Sequence, residues 1–305
     1  MRFERYGGVE VLDVVEVDPP EPGDGQLLVR VRAAGINPFE AKLRSGAFEG
    51  SIPLSFPAAQ GNDFAGVVEE VAADVQEFRV GDQVLGTTAV RGSHGELAVA
   101  SQAHVLARPA ALPWEVAGGL WNVGTTAYAS VAATGVQAGE VVLVAGASGG
   151  VGGLAAQLAR HRGATVLGIA GERGHPWLRS RGIVPVAYGD GMQQRLERAA
   201  AAHGGRIDAL IDAAGHGYVE MGIGLGVAAE RINTLVDYEG AARHGARTDG
   251  ARAAANTEVV EEVVQLIVGG ELELPIAATF PLESVREAYE LLEHGHPPGK
   301  IVLLP

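Results

Sequence analysis

The chain has 305 residues, 47% apolar and 20% charged, a globular composition long enough for one large or two ordinary domains, which excludes a disordered chain. Its 37 acidic against 23 basic residues give a net charge of -14 with no offsetting basic patch, which argues against nucleic acid and anionic membrane as partners. No cysteine is present, so disulfides, thiolate zinc sites and a thiol nucleophile are excluded, as suits a reducing cytosol.

The first fifteen residues carry Arg2, Glu4, Arg5, Glu10 and Asp13 and lack the apolar run of a signal peptide. No apolar stretch approaches the roughly 20 residues of a bilayer span, so a soluble cytoplasmic protein is expected. Up to about Pro113 the pattern is short β-branched segments broken by Gly and Pro: Leu27–Val31, Gly66–Val71, Gln83–Leu85 and Leu97–Ala100. That predicts a β-rich domain over 1–113. From Trp114 strands alternate with Ala- and Leu-rich helical stretches (Val141–Ala145, Leu154–Arg162, Thr165–Ile169, Gln193–His203, Ala209–Ala213), which predicts a parallel α/β sheet over 114–250. A segment over 251–305 follows, with amphipathic helices at Glu258–Val268 and Val285–Glu293 and a strand at Ile301–Leu304. Ser284 with Glu287 predicts a capping box on the second of these helices.

The most informative local pattern is the apolar run Val141–Ala145 leading into Gly146-Ala147-Ser148-Gly149-Gly150-Val151-Gly152. Val151, Leu154, Ala155, Leu158 and Ala159 then recur at helical spacing, Gly163 ends the helix and Thr165–Ile169 supplies the next strand. This is a complete βαβ unit. Glycines there let the backbone approach a pyrophosphate, whose charge the first-turn N–H groups and the positive helix end stabilise. Ala147 to Gly152 are therefore candidate cofactor-binding residues, although Ala147 stands where the fingerprint has its first glycine. The plain alternative is a tight strand-to-helix turn with no ligand. A third reading takes Gly146-x-Ser148-x-Gly150 as the nucleophile elbow of an α/β serine hydrolase, with Asp212 and His294 following in chain order. Against it, the region before the elbow reads as a separate β domain.

At the end of the second strand an NAD site usually carries a carboxylate for the ribose hydroxyls, but here the chain runs through Ala170 into Gly171. Arg173 follows, a bidentate partner for a 2′-phosphate, so NADP(H) is the expected cofactor. Its bland alternative is a solvated surface arginine. Tyr188, closing the next strand, joins Gly171 and Arg173 as a candidate cofactor contact, or is a packing aromatic with a wet hydroxyl.

Over nearly its whole length the chain resembles the zinc-independent, quinone oxidoreductase-like branch of the medium-chain dehydrogenase/reductases. The resemblance rests on Tyr6-Gly7-Gly8-Val9-Glu10-Val11-Leu12, Ala34-Gly35-Ile36-Asn37-Pro38, Gly61-Asn62-Asp63-Phe64-Ala65-Gly66-Val67-Val68, Val80-Gly81-Asp82-Gln83-Val84, Gly124-Thr125-Thr126-Ala127-Tyr128, the glycine turn and Gly299-Lys300-Ile301-Val302-Leu303. It implies an α/β protein with a GroES-like catalytic domain, completed by the C-terminal segment, and a Rossmann domain that binds NADP(H). It also implies an active site in the cleft between them, hydride transfer to quinones or other α,β-unsaturated carbonyls, and a homodimer.

In zinc-dependent relatives the catalytic ligands fall where this chain has Asn37, Asn62 and Asn122, and amides are poor zinc ligands, so no metal is expected. The resemblance places Asn37 nearest the nicotinamide, as a cofactor contact and the candidate catalytic residue, with its amide N–H groups aimed at the substrate oxygen, and Thr126 along the cofactor channel. Asp63 is expected to hold loops by hydrogen bonds, and His94 is expected to be structural. A function of a different class, a non-catalytic NADPH-binding sensor or accessory protein, stays open because no acid/base pair stands out.

Overall fold

A computed structural model describes residues 1–88, 91–250, 252, 256–295 and 297–305. The chain folds into two compact units, one of Met1–Asn122 with Pro275–Pro305 and one of Val123–Leu274.

In the first unit the sheet order is Ile276–Pro281, Lys300–Leu304, Gln26–Gly35, Asp63–Val71, Gln83–Thr87, Val105–Ala107, with Leu97–Ser101 also paired to Gln26–Gly35. Strand Gln26–Gly35 is ten residues long and pairs antiparallel with three others, so its inward side chains Leu27, Val29 and Val31 meet Phe64, Val68, Val84, Ala98 and Val105 in one core. Strand Lys300–Leu304 pairs parallel to Ile276–Pro281 and antiparallel to Gln26–Gly35, with Val302 opposite Gly35. A second core follows from that insertion: Ile301 and Leu303 pack with Phe3, Leu12, Ile36, Val285 and Tyr289.

In the second unit the order is Val184–Ala187, Thr165–Ala170, Val141–Ala145, Ala209–Asp212, Ile232–Thr234, and every pairing is parallel. Val141–Ala145 is buried along its whole length, as a central strand covered on both faces must be. The chain runs outward from it to one edge and then returns to its other side, so it sits at the topological switch point where such sheets bind ligands. Among the described residues no helix is long and apolar enough to cross a membrane.

Both domain breaks differ from the sequence expectation. The first falls after Asn122 because helix Trp114–Gly118 lies on the first unit's sheet, so close that a Cβ on Gly118 would stand 2.4 Å from the Ala33 carbonyl oxygen. The second falls after Leu274 because helix Thr257–Val268 belongs to the second unit, where Val259 packs on Ala129. The capping box expected at Ser284 is also absent: a 3-10 turn at Leu282–Ser284 runs into the helix, and the serine makes no side-chain cap bond.

Gly66 reports how tightly the first sheet is closed, since a Cβ there would lie 2.2 Å from the Arg30 carbonyl oxygen across the strand pair. Gly66→Ala is expected to destabilise the chain by about 1–3 kcal/mol or more, read as a lower urea midpoint. A midpoint equal to that of the unmodified protein would contradict this packing.

Candidate active site and cofactor turn

The second unit carries the glycine turn. Gly146 has φ +73°, open to glycine at little cost, and a Cβ on Gly152 would stand 2.2 Å from the Gly146 carbonyl oxygen. These two positions let helix Gly150–His161 start directly behind the strand. Its first-turn N–H groups at Gly150, Val151 and Gly152 have no acceptor within the helix and lie at its positive end. Ser148, Gly149, Gly150 and Val151 are partly open to solvent. Ala147 is not: it is fully buried, its N–H donates to Ile169 O at 3.0 Å and its methyl packs over Gly168. It supports the turn from beneath and presents no side chain to a ligand.

Gly171 and Tyr188 follow the paired strand ends Ala170 and Ala187. A Cβ on Gly171 would come within 3.4 Å of the Tyr188 ring, and Tyr188 is 62% exposed, so it is a surface aromatic beside the strand ends and not a core one. Arg173 is exposed in the short turn Glu172–Gly174, which also contacts the glycine turn, where Gly174 lies against Ser148. Three adjacent strand ends thus bring together the turn, Gly171, Arg173 and Tyr188. Thr126 lies buried in helix Trp121–Ala133.

The hydrolase reading loses its acid. Both Asp212 oxygens are committed, Oδ1 accepting from the Ala214 and Gly215 N–H groups at 2.9 and 2.8 Å and Oδ2 from the Thr234 hydroxyl at 2.8 Å. His294 is exposed in the helical segment Leu291–Gly295, with Nδ1 3.3 Å from Glu290 O. Asp212 therefore braces the end of its strand and orients no imidazole.

The first unit holds a buried polar cluster at the end of strand Gln26–Gly35. Lys300 reaches it from the returning strand, and Nζ donates to Ile36 O at 2.6 Å and Asn37 Oδ1 at 2.7 Å. Asn37 Nδ2 donates to Asp63 Oδ2 at 3.2 Å and faces Glu40 Oε1 at 3.4 Å. Lysine has only donors and a carboxylate only acceptors, so the orientation of this amide is unambiguous. The two carboxylates then organise the backbone around them. Glu40, at the third position of helix Pro38–Arg44, accepts the N–H groups of Asn37 at 2.9 Å and Asn62 at 3.1 Å, while both Asp63 oxygens accept the N–H of Asn122 at 3.3 Å. Tyr289 donates its hydroxyl to Glu40 at 2.8 Å and accepts from Gln60 at 2.7 Å.

The three asparagines read from the sequence are therefore joined, but through Glu40 and Asp63. The expected role of Asn37 needs correcting: its N–H groups face carboxylates and its side chain is buried, so it does not offer them to a substrate oxygen. Asn62 donates its side-chain amide to Thr88 O at 2.8 Å, while Asp63, expected to hold loops, accepts instead from the Asn37 side chain at a helix N-cap and from the N–H of Asn122 in the first turn of helix Trp121–Ala133. Glu40, Lys300, Tyr289 and Gln60 were not anticipated as members. The Asn37-Pro38-x-Glu40 spacing, which puts a carboxylate over a helix N-terminus, was the one local signal for any of them.

Burial pushes the Glu40 carboxyl up and pushes Asp63 up to about 7, opposed in both by Lys300, while burial pushes the Lys300 ammonium down against the pull of Asp63 and Glu40. The two short acceptor contacts of Nζ favour the charged form, and on that geometry Lys300 stays an ammonium. His94 is buried beside the cluster with Nε2 donating to Gly35 O at 3.3 Å, while Nδ1 has no partner. Protonation would bury a second N–H without an acceptor, and burial holds this imidazole down at about 3.

Because the folded value lies below the ordinary 6.5, the neutral imidazole adds stability that is full above pH 6.5 and is lost as pH falls towards 3. By pH 4 the loss should be on the order of 2–3 kcal/mol. The raised Asp63 and Glu40 carboxyls act in the opposite sense over the same window, so the imidazole is read as a difference: on going from pH 7 to pH 4 in urea unfolding, the unmodified protein should lose that much more stability, or gain that much less, than His94→Gln. Equal changes in the two proteins would contradict the assignment.

Two family descriptions match: an alcohol dehydrogenase GroES-like domain over residues 23–107 and a zinc-binding dehydrogenase over residues 183–303. The human quinone oxidoreductase is 31% identical over 333 aligned positions, covering 100% of this chain and 97% of that protein. The structure of the quinone oxidoreductase from Coxiella burnetii superimposes with a TM-score of 0.86 at 28% identity, covering 100% and 98% of the two chains. The Escherichia coli quinone oxidoreductase complexed with NADPH shares the fold, with a TM-score of 0.85 at 24% identity over 100% and 99% of the chains. A GroES-like unit completed from the C-terminus, a Rossmann unit inserted into it, and a relative matched from end to end lead to one assignment: this chain belongs to the quinone oxidoreductase-like branch of the medium-chain dehydrogenase/reductase superfamily.

Proposed function

We propose that this chain is an NADPH-dependent reductase of quinones and other α,β-unsaturated carbonyls that works without a metal. The observation that carries the reading is the Lys300 ammonium bonded to the Asn37 carbonyl oxygen, at a position where zinc-dependent relatives place a ligand. A zinc ion there would have to displace a cation, and the other Asn37 amide atom is a donor that cannot coordinate. Asn62 spends its amide on Thr88 O. Among the described residues no group of three or more His, Cys, Asp or Glu side chains is placed to hold a metal. Zinc does not fit this donor set.

NADPH does fit the second unit. When bound, it supplies the hydride. The first-turn N–H groups of Gly150, Val151 and Gly152 would hold the pyrophosphate, with Ser148 and Gly149 at the turn's open face. Arg173 would pair with the 2′-phosphate, Tyr188 would flank it, and Gly171 leaves that approach clear of a side chain. Conjugated acceptors suit a site with no metal, because the charge that develops on their oxygen is delocalised. The buried cluster would shape the reacting end through the backbone at Asn37, Asn62 and Asn122.

NADPH should bind about tenfold or more tightly than NADH, the contribution of one charge-assisted pair, and Arg173→Ala should narrow that gap. Titration by nicotinamide fluorescence measures both, and equal affinities in the unmodified protein would end the cofactor assignment. Turnover with a panel of quinones and enones then separates a reductase from a protein that binds NADPH without consuming it.

Ser148→Ala should keep most reductase turnover, since the serine is assigned to the turn. Labelling of Ser148 by a fluorophosphonate, with ester hydrolysis lost in that variant, would instead support the hydrolase.

A further inference from the structure

Of the 23 basic residues only two are lysines, Lys42 and Lys300. Lys42 is exposed, whereas Lys300 is 4% exposed in the heart of the first unit. Its placement is built from several directions. Gly299 has φ +116°, and a Cβ there would lie 2.4 Å from Pro275 O; the Lys300 N–H donates to that same carbonyl at 2.8 Å. The backbone is thereby pinned with the side chain turned inward. The stem then passes between two glycines, since Cβ atoms on Gly35 and on Gly119 would each stand 3.3 Å from Lys300 Cε. Any larger residue on either side would narrow this passage, and a planar guanidinium is a poor fit for it. At its end the ammonium meets Ile36 O and Asn37 Oδ1.

We infer that Lys300 is the positioning residue of the reaction site: by gripping the Asn37 carbonyl oxygen it locks that amide against Asp63 and Glu40. Those carboxylates hold the backbone N–H groups of Asn37, Asn62 and Asn122. One ammonium therefore sets three backbone positions, a helix N-cap, a loop and the first turn of a helix, from a single point. Nothing in this requires Lys300 to touch substrate or cofactor. The inference rests on the reductase reading for its kinetic consequence, but not for its geometry.

The two-lysine composition gives a clean test. With lysine and asparagine labelled by nitrogen-15, the unmodified protein should show one slowly exchanging ammonium resonance, since Lys42 exchanges freely with water. The Asn37 amide protons should be protected as well. Both signatures should vanish in Lys300→Met/Asp63→Asn, which removes one charge of each sign and so avoids leaving both carboxylates without a cation. In that variant kcat should fall about tenfold or more while NADPH affinity, assigned to the other unit, stays within about twofold. Lys300→Arg should not restore kcat. No protected ammonium in the unmodified protein, an Asn37 amide equally protected in the double variant, or an unchanged kcat would each overturn the inference. Should the double variant fail to fold, the two resonances of the unmodified protein still decide it. Should the unmodified protein reduce no quinone or enone, the function proposed above fails, and the same resonances still report on Lys300.

Discussion

The first unit depends on one buried ammonium held by the Ile36 carbonyl and the Asn37 amide, whose other end faces two buried carboxylates. Charges are not taken out of water without partners, and removing one member of a buried pair typically destabilises by about 3–5 kcal/mol. Lys300, Glu40 and Asp63 meet that requirement with hydrogen bonds to Asn37, Tyr289 and the backbone, so their geometry is over-determined. They tie the C-terminal strand to the start of helix Pro38–Arg44 and to the strand that begins at Asp63. Local order at the three asparagines follows from this network.

The second unit works by a different rule. It uses space instead of charge: Gly146, Gly152 and Gly168 allow a strand, a turn and a helix to approach until backbone groups take the place of side chains at the switch point. The result is a set of N–H donors with no internal acceptor beside a half-open surface, which suits an anion. The division of labour proposed here, cofactor on one and reaction geometry on the other, follows from those two kinds of construction.

How much could be read from the sequence depended on how local each signal is. The βαβ turn was legible because strand run, glycines and helical repeat lie within about thirty residues of one another. The break was expected at Pro113 and falls after Asn122, because the sheet that Gly118 approaches is set by Ala33, much earlier in the chain, and no local pattern reports that. The buried cluster was largely illegible. Lys300 and Asn37 are 263 residues apart, and no local pattern joins Lys300 to Glu40 or to Asp63, which was expected only to hold loops. For the same reason Asn37 was expected to face a substrate: the lysine that turns its amide inward arrives from the far end of the chain. Ser284 shows the reverse error, a local capping pattern overridden by the turn that precedes it.

The central claim is hydride delivery from NADPH in a site whose cation is an ammonium and not a metal. Its most direct test is a single-turnover experiment under anaerobic conditions on protein first dialysed against a strong chelator. Stoichiometric NADPH and a simple benzoquinone are mixed while nicotinamide absorbance is followed. The account predicts complete loss of the NADPH signal, with the same amplitude and rate when zinc is added back. A signal that persists until zinc is restored would contradict it.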